Sequence, residues 1–164
     1  MPALGAVLAG GRGSRLGGDK AAALLAGRPL AVHVAAAFAE AGLDAVLCAK
    51  PGEAVPGLEL SLVAEPPQPR HPLAGIVAAL RAGEGRPVVA VACDMPFVAP
   101  SLLAALAAAP EPLVVPAPRG RLQPLCARYA PTTLPALEAA LGAEEPLTRT
   151  VASLDPVVWD EEVL

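Results

Sequence analysis

The sequence predicts an α/β protein built on a mainly parallel β-sheet. The first observation is that short apolar runs rich in Val and Ala alternate with longer segments of helical character. The second is that turn residues, mostly Gly, Pro and Asp, separate these segments. The third is a length of 164 residues without a long linker, which fits one domain. Strands that alternate with helices form βαβ units, so we expect parallel strands with helices on both faces.

The predicted strands are short apolar segments bounded by turn or charged residues. They span 3–9, 45–49, 58–65, 87–93, 112–118 and 124–130, with a further candidate at 156–160. The 87–93 run is the clearest, because it is continuous in Val and Ala and stops at Asp94. The predicted helices span about 29–41, 73–82, 99–109 and 131–141, with a short one after Pro146. Pro29 suits a first helical position, and Ser101 is a candidate N-cap.

The composition argues against several classes of function. A formal net charge of -4 disfavours a general nucleic-acid binder, because such proteins present a basic surface. No uninterrupted apolar run reaches the roughly eighteen residues of a membrane span, and the first residues do not match a secretory leader. We therefore expect a cytoplasmic protein with no nucleic-acid or membrane partner. Cys48, Cys93 and Cys126 lack the close spacing of zinc ligands, so we expect three buried thiols.

The stretch LAGGRGSRLGGDKA, residues 8–21, combines glycines with positive charge directly after the first strand. Glycines let ligand oxygens approach backbone N–H groups, and Arg or Lys neutralises phosphate, so the stretch favours a polyphosphate ligand. The Walker phosphate loop does not fit, because Asp19 precedes Lys20 and Ala21 replaces the required hydroxyl residue. The dinucleotide fingerprint also fails, because Leu16 stands where its third glycine belongs, but it fails less sharply, since Gly17 would satisfy a looser variant.

Four candidate features fall at the ends of predicted strands: the glycine stretch, Lys50, Glu65 and Asp94. Ligands of parallel α/β sheets bind beyond the carboxyl ends of the strands, so we expect these features to converge. A carboxylate that ends a buried strand is costly unless it is compensated. A divalent cation held by Asp94 and by ligand phosphates would supply that compensation.

The stretch from Leu8 to Lys20 resembles the signature of nucleotidyltransferases with a Rossmann-type, GT-A-like fold. Within that superfamily it is most similar to the molybdenum cofactor guanylyltransferases. Other motifs of that family recur in the same order, as HPLAGI at 71–76, CDMPFV at 93–98 and QPLCARY at 123–129. The resemblance covers about residues 4–130. It implies one three-layer nucleotidyltransferase domain over residues 1–164, with a mainly parallel and partly mixed sheet.

The same resemblance implies an Mg²⁺-dependent enzyme that transfers GMP from GTP to molybdopterin, forming molybdopterin guanine dinucleotide and releasing pyrophosphate. The attacking group is an ionised phosphate, so the scarcity of catalytic-type His, Ser and Cys is expected. Two alternatives stay open. One is a related nucleotidyltransferase that uses CTP or a sugar-phosphate acceptor, and the other is a noncatalytic nucleotide-binding protein of this fold. Molybdenum-insertion and molybdoenzyme-maturation proteins are further candidate partners.

The resemblance also implies a role for each matching residue. The catalytic residues are Arg15 and Lys20, which would neutralise the triphosphate, and Asp94, which would hold the metal ion. The nucleotide-binding residues are Leu8, Ala9, Gly10, Gly11, Gly13, Lys20, Glu65 and Asp94. Gln123 is the candidate contact for the acceptor. The chain departs from the family pattern at Glu65 in place of Asp, Lys50 in place of Asn, His71 in place of Gly, and after Leu147, where no Asn-rich segment follows.

Overall fold

The computed structural model describes residues 1–10, 20–53 and 55–160. Its strands, numbered in chain order, are β1 (Leu4–Leu8), β2 (Leu24–Leu25), β3 (Arg28–Pro29), β4 (Ala45–Ala49), β5 (Ser61–Ala64), β6 (Val88–Ala92), β7 (Leu113–Pro116), β8 (Cys126–Tyr129) and β9 (Val157–Trp159). Within these ranges, seven strands form one sheet in the order β5-β4-β1-β6-β8-β7-β9, and β2 pairs with β3 in a small hairpin.

The sheet is mainly parallel and partly mixed, which confirms the predicted fold class. Parallel pairs join β1 to β4 and β6, β4 to β5, and β7 to β9. Strand β8 runs antiparallel to both of its neighbours, β6 and β7. The four parallel strands at one side of the sheet therefore bring their carboxyl ends to one edge, where the predicted site features lie.

Helices cover both faces of the sheet. They are α1 (Leu30–Glu40), α2 (Pro72–Ala82), α3 (Pro100–Ala108), α4 (Leu134–Gly142) and α5 (Leu147–Ser153). On β1, Val7 packs in one apolar cluster with Val34 of α1 and Leu103 of α3. Its neighbour Leu8 packs in a second cluster with Ile76 of α2, because successive strand side chains point to opposite faces. Each fully buried aliphatic side chain contributes about 1.5–3 kcal/mol, so these clusters hold the three layers together.

Most predicted elements are confirmed, with four differences. Pro29 is not the first helical residue, because α1 begins at Leu30 and Pro29 belongs to β3. The predicted strand at 58–65 is shorter and covers Ser61–Ala64. Ser101 is not an N-cap, because α3 already begins at Pro100, whose fixed φ suits the first helical position, and Ala99 precedes it. The hairpin of β2 and β3 was not predicted. It is joined to α1 by His33, whose Nε2 donates to the Leu25 carbonyl oxygen at 2.8 Å.

The strand order reverses beside β1. From β1 the chain moves outward through β4 to β5 on one side, and it then returns to β6 on the other side. A crevice at such a reversal is where open α/β sheets bind their ligands. The carboxyl ends of β1 and β6 therefore mark the expected binding position.

Two smaller predictions concern membranes and thiols. In the part of the chain that the structure describes, no helix has the length and apolar character needed to cross a membrane. Cys48, Cys93 and Cys126 are all buried, as predicted. Burial also raises the pKa of Cys126 to about 11, which makes its thiolate scarce at neutral pH.

Candidate active site

A cavity of about 100 Å³ lies between the carboxyl ends of β1 and β6. Main-chain hydrogen bonds fix its floor, because Cys93 N donates to Leu8 O at 3.0 Å and Ala9 N donates to Cys48 O at 2.8 Å. The lining residues are Leu8, Ala9, Gly10, Lys20, Pro72, Ala92, Cys93, Asp94 and Leu125. Five of the predicted site residues therefore line one cavity at the reversal of strand order.

Lys20 and Asp94 form an ion pair at this cavity, although they lie far apart in sequence. Lys20 begins a short 3-10 turn, Lys20–Ala22, at the end of the glycine stretch. Asp94 follows β6 in a turn closed by Met95 N, which donates to Ala92 O at 3.1 Å. The distance between Lys20 Nζ and Asp94 Oδ2 is 3.4 Å. The fold thus brings one cation and one carboxylate to the same wall.

The Lys20–Asp94 pair is open to solvent, with side-chain exposures of 29% and 46%. The sequence argument that Asp94 needs a metal because it is buried is therefore wrong in its premise. The turn after β6 carries the carboxylate out of the core, so its desolvation penalty is small. An exposed pair of this kind is weak, and either partner can exchange it for a ligand.

A second pair, Lys50 and Glu65, lies at the ends of β4 and β5 and is almost fully buried. Lys50 Nζ is 3.3 Å from Glu65 Oε2, and the two side chains are 5% and 3% exposed. The Lys50 ammonium also donates to the carbonyls of Pro66 and Pro69. Burial raises the pKa of Glu65, even though the neighbouring Lys50 charge lowers it. This pair joins two strand ends to the loop that leads into α2.

The Glu65 carboxylate lies against Gly10, which lines the cavity. A Cβ added at Gly10 would overlap both carboxylate oxygens, and one added at Gly75 would come within 2.8 Å of Glu65 Oε1. Glycine is required at both positions by this close approach. Glu65 therefore lies close to the backbone of Gly10 in the glycine stretch, whereas the cavity itself is lined by other residues. Burial, with a smaller effect of the Glu65 charge, also raises the pKa of Cys48 to about 12.

Gln123 lies in a neighbouring groove of about 390 Å³ that shares Asp94 with the cavity. Its backbone is fully used, because Gln123 N donates to Pro116 O at 2.8 Å and Cys126 N donates to Gln123 O at 2.9 Å. The side-chain amide is therefore the part of Gln123 that can meet a ligand. The predicted acceptor contact and the predicted metal ligand thus border the same space.

Three of the predicted site residues are not described by the structure, and His71 has a structural role. Gly11, Gly13 and Arg15 lie outside the described residues, so their roles stay predictions. His71, interpreted from the sequence as a departure from the family pattern, caps α2, since its Nδ1 accepts from Leu73 N at 3.2 Å. The sequence analysis did not identify the exposed Phe97 as a groove residue, although the CDMPFV motif that contains it was a usable signal.

The donor chemistry of the cavity suits a hard divalent cation. Among the described residues, no group of three or more His, Cys, Asp or Glu side chains could hold a metal ion alone. Asp94 does supply one exposed carboxylate at the cavity wall. Cations that act on nucleotides take one or two protein carboxylates together with the substrate phosphates. The residues present therefore fit a metal ion that arrives with its nucleotide.

A mainly parallel sheet whose strand order reverses at a glycine-bearing strand end, with a Lys–Asp pair beside it, is the architecture of a ligand-binding open α/β protein. A family model described as MobA-like NTP transferase domain matches residues 5–157. The chain belongs to the MobA-like NTP transferase family. The match continues well past residue 130, where the resemblance seen in the sequence ended.

Relatives with known names agree with this placement. The molybdenum cofactor guanylyltransferase of Pseudomonas putida is 38% identical over 146 residues, covering 85% of this chain and 76% of that protein. The molybdenum cofactor guanylyltransferase of Rhizobium leguminosarum bv. trifolii is 36% identical over 149 residues, covering 86% and 69%.

Solved structures share the fold. Molybdopterin-guanine dinucleotide biosynthesis protein A from Archaeoglobus fulgidus superposes with a TM-score of 0.81 at 27% identity, over 97% of this chain and 84% of that one. The 2-C-methyl-D-erythritol 4-phosphate cytidylyltransferase of Thermus thermophilus superposes with a TM-score of 0.69 at 20% identity, over 97% and 88%. At that identity the second likeness shows the fold alone.

Proposed function

We propose that the protein transfers GMP from GTP to molybdopterin, forming molybdopterin guanine dinucleotide and releasing pyrophosphate. The observation that carries the proposal is the exposed Lys20–Asp94 pair on the wall of the cavity at the β1 and β6 strand ends. It occurs in a chain that is 36–38% identical to two guanylyltransferases over most of its length. The reaction belongs to the biosynthesis of the molybdenum cofactor. Molybdenum-insertion and molybdoenzyme-maturation proteins are proposed as partners of the protein.

The transfer is a displacement at phosphorus. An oxygen of the acceptor phosphate forms a bond to the α-phosphorus of GTP, and the bond from that phosphorus to the bridging oxygen breaks. Pyrophosphate leaves with the electron pair, and no proton has to be removed from the attacking group. The protein's task is to align two anions and to stabilise the charge that develops.

Lys20 meets the second requirement. Its ammonium group lies at the cavity wall with 29% of the side chain exposed, so it can leave Asp94 and approach the triphosphate. A cation held at this position lowers the repulsion between the entering phosphate and GTP. Arg15, which lies outside the described residues, is proposed to act beside it as the second positive charge of the glycine stretch.

Asp94 is proposed to hold Mg²⁺ together with phosphate oxygens of GTP. When bound, the ion would neutralise charge on the triphosphate and on the leaving pyrophosphate. The carboxylate is exposed and 3.4 Å from Lys20 Nζ, so the same residue can serve the cation and the neighbouring lysine in turn. Asp94 also borders the Gln123 groove, which makes it the side chain common to both substrates.

The nucleotide is proposed to lie along Leu8, Ala9 and Gly10, with Gly11 and Gly13 allowing the backbone to close on the phosphates. The support is that Leu8, Ala9 and Gly10, at the carboxyl end of β1, all line the cavity. Glu65 is proposed to act on the nucleotide through Gly10, since its carboxylate is buried against that glycine and paired with Lys50.

Calorimetric titration with GTP, CTP, ATP and UTP, each with and without Mg²⁺, tests the proposal first. We expect GTP to bind most tightly, and we expect Asp94→Ala to weaken the Mg²⁺-dependent part. Conversion of GTP and molybdopterin to pyrophosphate then tests turnover. A CTP preference would replace the proposed donor, and nucleotide binding without turnover would support a noncatalytic role instead.

A further inference from the structure

The groove beside Asp94 is larger than the nucleotide cavity and of a different chemical character. It measures about 390 Å³, against about 100 Å³ for the cavity. Its walls are almost entirely apolar, and we call it the Phe97 groove. Its lining residues are Asp94, Met95, Pro96, Phe97, Val98, Ala99, Leu102, Pro116, Pro118, Gln123 and Cys126. A polyphosphate would gain little from such walls, whereas a flat apolar ligand would gain contact area there.

Phe97 is the most conspicuous member of the groove. Phe97 is 85% exposed, which is the largest exposure among the large apolar residues that the structure describes. It lies in the turn that also carries Asp94, and this turn is held by Val98 N, which donates to Met95 O at 3.2 Å. The turn holds the backbone that carries the ring, and the exposed ring offers a flat apolar face to a ligand.

Gln123 gives the same groove a polar edge. Its backbone N–H and C=O are both hydrogen-bonded within the protein, so the residue is held in place. An amide side chain presents a donor and an acceptor together, which matches the alternating N–H and C=O groups of a pyrimidinone ring. Flat heterocyclic bases are commonly stacked on an aromatic side chain and hydrogen-bonded at their edges.

The groove and the cavity meet at Asp94, which lines both. A ligand whose ring lies in the groove can therefore place a phosphate beside Lys20 and Asp94, where the triphosphate of GTP is proposed to bind. We infer that the Phe97 groove is the ring subsite of the acceptor, in which a pterin-type heterocycle packs on Phe97 with its polar edge at Gln123. This inference rests on the proposed function for the identity of the acceptor.

Two measurements on the full chain test the inference. The first is the binding of 6-hydroxymethylpterin, followed by quenching of its own fluorescence in the presence of GTP and Mg²⁺. The second is the KM for molybdopterin in the transfer reaction. Phe97→Ala should weaken pterin binding and raise this KM by about 5- to 100-fold, the range expected when a stacking ring is removed. The affinity for GTP should stay within about twofold.

Substitutions that keep or move the apolar surface supply the controls. Phe97→Trp retains an aromatic face and should restore most of the pterin affinity, whereas a general loss of folding would affect GTP binding as well. Gln123→Ala should also raise the KM, with little effect on the affinity for GTP. Leu62→Ala removes a 50% exposed apolar side chain from β5, at the opposite side of the sheet, and should leave both readouts unchanged.

The outcomes separate this inference from the proposed function. Wild-type pterin affinity and KM in Phe97→Ala, or an equal loss in Leu62→Ala, would overturn the groove assignment. An absence of pterin binding by the wild-type protein would do the same. If the wild-type protein binds GTP but forms no dinucleotide with molybdopterin, the proposed function fails, and the pterin titration still decides what the groove binds.

Discussion

Two lysine–carboxylate pairs lie at neighbouring strand ends, with nearly equal separations and opposite surroundings. Lys20 and Asp94 are 3.4 Å apart and open to solvent, whereas Lys50 and Glu65 are 3.3 Å apart and almost fully buried. Distance alone therefore does not distinguish them. Exposure does, because an exposed pair exchanges its partner for a ligand at little cost, and a buried pair cannot separate without leaving an uncompensated charge.

The difference assigns separate tasks to the two pairs. The exposed pair lines the cavity and is proposed to act on phosphate. The buried pair joins β4 and β5 to the carbonyls of Pro66 and Pro69, and it supports the backbone at Gly10. One pair is thus suited to the reaction and the other to the framework that positions it. The following substitutions test that division, from the largest expected effect to the smallest.

Lys50→Met should cause the largest loss of stability. It leaves the Glu65 carboxylate buried without its partner and removes the donor to two loop carbonyls. Breaking a buried pair in this way costs about 3–5 kcal/mol, a large share of the total for most domains. Urea titration gives the free energy of unfolding. Lys20→Met makes the same change in the exposed pair and should cost less than about 1 kcal/mol. Equal losses would contradict the division.

Lys20→Met and Asp94→Asn should instead lower the rate of GMP transfer. Removing one charged contact from a transition state of this kind costs about 3–4 kcal/mol, or roughly 10²- to 10³-fold in kcat. The fold should persist, because neither side chain is buried. Asp44→Asn is the matched control, since Asp44 is an exposed carboxylate 3.6 Å from Arg86 before β4, away from the cavity. Wild-type turnover in Asp94→Asn would remove that residue from the mechanism.

Gly10→Ala should destabilise the protein and weaken GTP binding together. The new methyl group overlaps the Glu65 carboxylate, and overpacking of a well-filled site costs about 1–3 kcal/mol. Gly142→Ala is the matched control, because a Cβ at that helical position meets nothing within 4 Å. Urea titration and GTP calorimetry on both variants give the comparison. If the two variants are equally stable, the contact between Gly10 and Glu65 is not tight.

Most of the fold could be predicted because the spacing of apolar residues and the positions of turn residues indicate where strands and helices begin and end. The runs at 3–9 and 45–49 became β1 and β4, and the break at Asp94 marked the end of β6. The hairpin of β2 and β3 was missed because strands of two residues carry no periodic signal. Ser101 was assigned as a cap on residue type alone, without the competing effect of the adjacent Pro100.

The meeting of candidate residues at one edge of the sheet could be predicted, but their arrangement there could be predicted only in part. Leu8, Lys20 and Asp94 meet because parallel strands end at one edge, which follows from the βαβ pattern. The partnership of Lys50 with Glu65 and the burial of the pair depend on side-chain depth, which a strand-end position does not specify. The exposure of Asp94 depends in the same way on the turn after β6. Linear sequence reports which side chains reach the edge, whereas packing decides which of them face solvent.

The buried pair should also impart a specific pH dependence to stability. The pKa of Glu65 is raised in the folded protein, so the folded state retains a proton at pH values where the unfolded chain has already lost it. The stabilisation from this proton is complete below the ordinary carboxyl pKa and is lost as the pH rises through the folded pKa. Glu65→Gln lacks the titrating group. The free energy of unfolding of this variant should therefore increase relative to that of the wild type as the pH is raised from about 4 towards neutrality. Glu138→Gln removes a carboxylate from a more exposed pair, 2.7 Å from Arg81, and is the control for the loss of one negative charge. If the free energy of unfolding relative to the wild type increases with pH by the same slope in both variants, the pH dependence comes from overall charge. The contrast between the buried and exposed pairs would then lose its electrostatic basis.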